Sequence, residues 1–290
     1  MAQSWTLVTG ASGFVGSRLV RALVERGEHV KAFVRAGSSL RHLADLPTDR
    51  CRLAYGDITV EHTVFRALAS CNRLYHVASN FKMWDPDPQT ILRPAIEGTR
   101  ATLEAARRRG IEKIVVTSSV AAMGSTTAAE EMDETHEFNL KDPEAYVLSK
   151  FEAERVALEA ADECEAGVVV RASAIDGLGG WKPTPTGQSL LTYMKTPPSL
   201  SVPVTDGGLS VVDVDDVVEG HIAAMEKGQV GETYVLGGEN VTYHQLIDTL
   251  ADITGLALPG RVLGPGLIGF LGSLMELKAE LFGGDPPITK

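Results

Sequence analysis

Cysteine is scarce: three residues in 290, Cys51, Cys71 and Cys164. So few, odd in number and widely spaced, they supply no disulfide framework and no metal-ligand spacing, and they fit a reducing compartment. Positive charge is also short. Lys and Arg number 27 against 38 Asp and Glu, a net charge of −11, which predicts no nucleic-acid partner and no basic patch for lipid headgroups. The one basic run, Arg107-Arg108-Arg109, stands just before Gly110, where cations complement a helix dipole. No apolar run is long enough to cross a bilayer: the late stretch 262–275 is short and broken by Gly and Pro. No charged-then-apolar leader precedes the first apolar segment, so a cytoplasmic protein without membrane insertion is expected. His76, His221 and His244 show no zinc-ligand spacing near a carboxylate, so no metal is predicted and packing or surface roles are expected. Repeats and low-complexity tracts are absent as well.

What is present begins at Thr6-Leu-Val-Thr-Gly-Ala-Ser-Gly-Phe-Val-Gly16. Leu7-Val8 reads as a buried strand. Gly10, Gly13 and Gly16 follow at a spacing of three, and Phe14, Val15, Leu19, Val20, Leu23 and Val24 then recur with helical period. Strand, glycine turn and helix present free backbone N–H groups and a partial positive charge to a pyrophosphate. Gly10, Gly13, Phe14, Val15 and Gly16 are therefore candidate cofactor contacts. A second strand, 29–34, ends at Arg35, where an acidic residue would select NAD. Arg35, with Ser38, Ser39 and Arg41 behind it, suits a 2′-phosphate, so NADP(H) is favoured and NAD stays open.

Further along, 52–55 reads as a third strand ending at Gly56-Asp57-Ile58, and a helix is predicted with Val60, Val64, Phe65 and Leu68 on one face. Asp57 either accepts from an adenine amino group or caps a turn. Leu74-Tyr-His-Val77 reads as a fourth strand leading into Ala78-Ser79, small residues beside which a cofactor can lie; Val77, Ala78 and Ser79 join the candidates. A loop at 80–89 carries Phe81 and Trp84. A helix over 91–109 and a strand over 113–119 follow, then a polar loop over 121–143, a helix over 145–161 and a buried strand over 167–171. This alternation predicts an α/β, doubly wound parallel sheet in residues 1–171. Residues 172–290 are expected to be mainly a smaller carboxyl-terminal substrate-binding lobe, with segments returning to the sheet. Within it 181–187 and 196–198 read as loops, 213–227 contains a helix that Asp213 or Asp215 caps, 233–236 reads as a strand and 243–254 as a helix.

Tyr146-Val-Leu-Ser-Lys150 is the local pattern that carries chemistry. Residues four apart share a helix face. An ammonium beside a phenol favours the phenolate and lowers its pKa, which suits a carbonyl/alcohol interconversion. Lys150 is also placed to hold ribose hydroxyls. Ser118-Ser119 ends the fifth strand, where a hydroxyl polarises a substrate oxygen; Ser119 is the expected contact and Ser118 its support.

Together Gly10-x-x-Gly13-x-x-Gly16, Thr117-Ser-Ser119 and Tyr146-x-x-x-Lys150 resemble the extended short-chain dehydrogenase/reductase family. Val34-Arg35, His76-Val-Ala-Ser79, 94–99, 117–122 and 146–154 resemble its dihydroflavonol reductase-like branch. Trp84 to Pro88, 181–187 and 236–240 are similar to the hopanoid-associated sugar epimerase branch. The resemblance implies an NADP(H)-binding Rossmann domain with Ser119, Tyr146 and Lys150 as catalytic set. Ala95 and Ala172 depart from it, standing where many members have Asn and Pro.

The function expected is reduction of a small-molecule carbonyl to the alcohol. Nucleotide-sugar epimerisation with retained cofactor and non-catalytic NADP sensing are the alternatives. Oligomeric state is left open, a homodimer included.

Overall fold

The computed structural model describes residues 4–79, 82–126, 130–164, 166–178, 184–195, 202–204, 206–256, 260–262, 272–276 and 279. Its contacts divide the chain into two units. The first holds residues 1–83, 87–172 and 214–236; the second holds 84–86, 173–213 and 237–290.

The first unit is built on a seven-stranded sheet. In chain order its elements are β1 (Trp5–Thr9), α1 (Phe14–Glu25), β2 (Val30–Val34), β3 (Cys51–Tyr55), α2 (Glu61–Ala67), β4 (Cys71–His76), α3 (Gln89–Arg109), β5 (Lys113–Ser119), α4 (Ala145–Cys164) and β6 (Gly167–Ala172). Strands β7 (Ala174–Asp176), β8 (Val202–Val204) and β9 (Gly208–Asp213), with helix α5 (Pro185–Lys195), belong to the second unit. The chain then returns to the first with α6 (Val214–Lys227) and β10 (Thr233–Leu236). Sheet order is β10-β6-β5-β4-β1-β2-β3, every pairing parallel. From β1 the chain moves outward to β2 and β3, then returns to lay β4 on the other side of β1. That reversal is a topological switch point, and it opens a groove beyond the carboxyl ends of β1 and β4.

Strands covered on both faces read as continuous apolar runs because every side chain is buried. Leu7, Leu74, Ile114, Val116 and Val169 pack with Val64 of α2 and Leu68 just past its end, Leu103 of α3 and Ala157 of α4. Val8, Tyr75, Val115, Val168 and Val170 pack with Leu19, Val20 and Leu23 of α1 and with Val218, Ile222 and Met225 of α6. Adjacent residues of one strand serve opposite layers, as the pleat requires. Burying each such side chain contributes roughly 1.5–3 kcal/mol.

The second unit contains a sheet of order β11-β9-β7, where β11 is Glu239–Thr242, and a pair of β8 with β12, Gly260–Val262. Helix α7 (Tyr243–Thr254) starts from a capping box: Gln245 N–H donates to Thr242 Oγ1 at 3.1 Å and Thr242 N–H to Gln245 Oε1 at 2.8 Å.

Two local expectations need correction, and the position of a third is resolved: of Asp213 and Asp215, Asp213 stands immediately before α6. Pro185 to Gly187 open α5 rather than lying in a loop, because proline is tolerated in a helix's first turn; residues 181–183 and 196–198 lie outside the described residues. Val60 precedes α2 and is exposed, so the packed face runs through Val64 and Leu68. Asp215 lies in the first turn of α6 and pairs with Arg18 of α1 at 2.7 Å. No helix among the described residues is long and apolar enough to cross a membrane.

His221, fully buried on α6, ties that helix to the sheet. Its Nδ1–H donates to the Val217 carbonyl at 2.7 Å, so Nε2 accepts from the Thr117 hydroxyl at 2.7 Å. Burial pushes its pKa down to about 4, while the bond to Val217 pulls the other way. His76 is also buried, and burial, with Lys150 adding, pushes it down to about 4 as well. An unfolded histidine takes up its proton near ~6.5. The stability that these folded pKa values contribute is therefore complete above that pH and is lost as pH falls toward about 4. Urea unfolding should show a loss on the order of 2 kcal/mol per histidine between about pH 6.5 and about pH 5. His221→Gln should remove about half of that slope; a stability flat across this range would show that neither imidazole is held neutral.

Candidate active site and cofactor groove

Two chain segments meet at the switch point. After β1, Gly10 adopts φ +67°, and a Cβ there would lie 2.7 Å from Ala78 Cα. After β4 comes Val77-Ala78-Ser79, whose Ala78 N–H donates to Thr9 Oγ1 at 3.2 Å. Gly16 closes the other side: its Cβ would run into the Gly10 carbonyl oxygen. The turn thus seats the start of α1 close against the sheet. Gly13 is the N-cap of α1, and no side chain caps the helix. The N–H groups of Val15 and Gly16, which a Ser, Thr or Asp cap usually satisfies, consequently lack that acceptor, and the N–H of Phe14 opens the same turn. An uncapped helix start in a groove fits a diphosphate. Gly16→Ala should lower dinucleotide affinity and cost about 1–3 kcal/mol of stability through displacement of α1; titration calorimetry and thermal melting check both, and unchanged affinity would show that α1 tolerates the shift.

At the far end of the groove, Arg35 is exposed just past β2. Asp57 follows β3 and accepts through Oδ1 from Thr59 N–H at 2.9 Å and from its hydroxyl at 2.7 Å. These bonds hold its carboxyl below the usual carboxylate range, and Arg35 adds a smaller pull. The structure therefore shows Asp57 closing a turn. Ile58 packs on α3, where a Cβ on Gly98 would lie 2.7 Å from its Cδ1.

Ser119 ends β5 and Tyr146 opens α4; both lie at the carboxyl edge of the sheet. The Ser119 hydroxyl hydrogen-bonds the Tyr146 phenol and also accepts from Ala121 N–H at 3.2 Å. Ser149 Oγ donates to the Tyr146 carbonyl at 2.6 Å. One turn along α4, Lys150 Nζ donates to Ser79 Oγ at 3.0 Å and sits 5.9 Å from the centre of the Tyr146 ring. Ser119, Tyr146, Lys150 and Ser79 are thus brought together. Ser118 lines the small cavity that Lys150 and Ser79 also border, and its Oγ is buried with no hydrogen-bond partner among the described residues.

Burial governs the electrostatics of both the tyrosine and the lysine. Burial pushes the Tyr146 phenol up to about 12, and the pull that opposes it is the Ser119 hydrogen bond, not Lys150. The ammonium is turned to Ser79, and burial pushes it down to about 8 while Glu154 pulls it back up.

Reading the sequence missed the polar groups that support this cluster. His76 bridges Thr9, at 2.9 Å from Nδ1, and Thr99, at 3.3 Å from Nε2, joining β4 to β1 and α3. Arg171 of β6 and Glu154 of α4 form a buried ion pair at 2.8 Å, 8% and 5% exposed. Arg171 Nη1 also donates to the Glu134 carbonyl at 3.1 Å, and the Glu134 carboxylate accepts from Val235 N–H at 2.8 Å. The available signal was a lone arginine closing the apolar run Gly167-Val-Val-Val-Arg171, and a glutamate four residues past Lys150.

A model of the NAD dependent epimerase/dehydratase family matches residues 6–237. The chain belongs to that family, within the extended short-chain dehydrogenases/reductases. A relative from Synechocystis sp., provisionally named dihydroflavonol 4-reductase, is 37% identical over 257 residues, covering 87% of this chain and 73% of its own. Sterol demethylase protein B of Methylococcus capsulatus is 34% identical over 264 residues, covering 91% and 78%. The crystal structure of gox2253 superposes with a TM-score of 0.83 at 37% identity, covering 99% of this chain and 86% of that one. Membership of the epimerase/dehydratase family makes the chain an oxidoreductase-type enzyme that uses a nicotinamide dinucleotide.

Proposed function

We propose that the chain is an NADP(H)-dependent reductase that converts an aldehyde or ketone to the alcohol. The observation that carries this reading is the Ser119–Tyr146 hydrogen bond with Lys150 one turn away, all beside Ser79 at the end of β4. The reductase name borne by the Synechocystis sp. relative supports reduction over epimerisation.

The glycine turn and the N–H groups of Phe14 and Val15 would hold the diphosphate, Arg35 a 2′-phosphate, and Asp57 and Ile58 the adenine side. Val77, Ala78 and Ser79 would border the middle of the dinucleotide, and Lys150 its ribose. When bound, the dinucleotide supplies the hydride. Ser119 donates a hydrogen bond to the substrate oxygen, and Tyr146 gives that oxygen its proton. With its pKa pushed up to about 12, the phenol keeps its proton through the neutral range, the form that a donor requires. Lys150 adds positive charge where negative charge develops on oxygen.

Tyr146→Phe should lower kcat/KM for carbonyl reduction about 10²–10⁴-fold with NADPH affinity retained; near-normal turnover would remove the mechanism. Arg35→Asp should shift preference from NADPH toward NADH, measured as the ratio of the two kcat/KM values. An unchanged ratio would place Arg35 outside the cofactor site. Lys150 is charged below about 8, so reduction should decline as pH rises through that value. An epimerase would reveal itself by turning over a nucleotide sugar with no net change in nicotinamide absorbance, and a sensor by binding NADPH without reducing any carbonyl.

A further inference from the structure

Behind Lys150 the ion pair of Glu154 and Arg171 takes no direct part in the proton and hydride chemistry, yet it is placed to act on the residue that does. Glu154 lies one turn beyond Lys150 on the same helix, and both line one small cavity with His76, Thr99 and Ser118. Arg171 grips the carboxylate with two nitrogens: Nη2 to Oε1 at 2.8 Å, and Nε to Oε1 and Oε2 at 3.1 and 3.2 Å. Its third nitrogen, Nη1, donates to the carbonyl of Glu134, in the loop that joins Ser119 to Tyr146. Stability alone is a weak reason for such a pair. Apolar residues of similar volume commonly serve a buried site as well as two charges do.

The titratable and charged groups around Lys150 come from three elements. Tyr146 and Glu154 stand on α4, His76 closes β4, and Arg171 of β6 lies behind Glu154; α3 contributes the uncharged Ala95 and Thr99 to the cavity. His76 is held neutral by burial. Glu154 is thus the anion that opposes the cost of burying the ammonium.

We infer that Glu154 is a positioning residue for Lys150: its carboxylate steadies the ammonium beside Ser79, while Arg171 holds Glu154 in place through its paired hydrogen bonds. This rests on the Ser119–Tyr146–Lys150 reading. The carboxylate does not touch substrate. It acts through the lysine, and the lysine acts on the ribose and the developing oxyanion.

The test is trace acetylation of the full chain with acetic anhydride, without cofactor, across neutral to alkaline pH, with the Lys150 peptide read by mass spectrometry. In Glu154→Gln the pH of half-maximal Lys150 reactivity should fall by about one unit, and the alkaline limb of kcat/KM should fall with it. Glu154→Asp should stay near the wild-type value. Because Glu154→Gln leaves the Arg171 charge buried without its partner, the double variant Glu154→Gln/Arg171→Gln, neutral at both positions, decides the matter where the single one does not fold. It too should titrate low. A folded double variant whose Lys150 titrates as in the wild type would overturn the inference and leave the pair a structural one. Failure of the underlying reading looks different: Lys150→Met would then reduce carbonyls undiminished, whatever Glu154 does.

Discussion

The constraint on which the site depends is the divergence of β1 and β4. Two adjacent parallel strands send their chains away in opposite directions, which leaves a groove at their carboxyl ends. Backbone must line that groove at close range on both sides. Gly10 and Gly16 permit this, since a Cβ at either would meet backbone atoms. The strand ends that follow, at His76 and Ser119, deliver their side chains to the same edge.

Burial then sets the charges. The same desolvation that raises the Tyr146 phenol lowers the Lys150 ammonium and keeps His76 neutral. Each is countered by a specific partner or none: Ser119 for the phenol, Glu154 for the lysine. A phenol that keeps its proton suits donation to a carbonyl oxygen, and the pull of Glu154 on the buried lysine opposes the push of burial. Chemistry and packing are therefore not separable at the carboxyl edge, because the residues that bury the site also tune it.

Much of this was legible from residue order. An apolar run, three glycines and a helical period identify β1, the turn and α1, because each is a local steric or periodic requirement. The strand 113–119 could be read to its last residue for the same reason, being apolar until its polar end. Tyr146 and Lys150 share a face by helical spacing alone. The direction of the tyrosine's pKa could not be read that way. Spacing places the ammonium near the ring, but whether it offsets burial depends on where its Nζ points, and Ser79, 71 positions away in sequence, holds it.

Sequence by itself determined the alternation of strand and helix, the phosphate-type turn, and the identities of the hydroxyl, phenol and amine, since all of these follow from local sterics, periodicity and side-chain chemistry. Tertiary structure alone decided which polar groups meet. Arg171 reads as the end of a buried strand, Glu154 as a helix residue and Glu134 as part of a polar loop; packing makes them one network. The physical reason is that a buried charge is tolerable only with a partner, and partners drawn from different elements are chosen by the sheet's order, not by spacing along the chain.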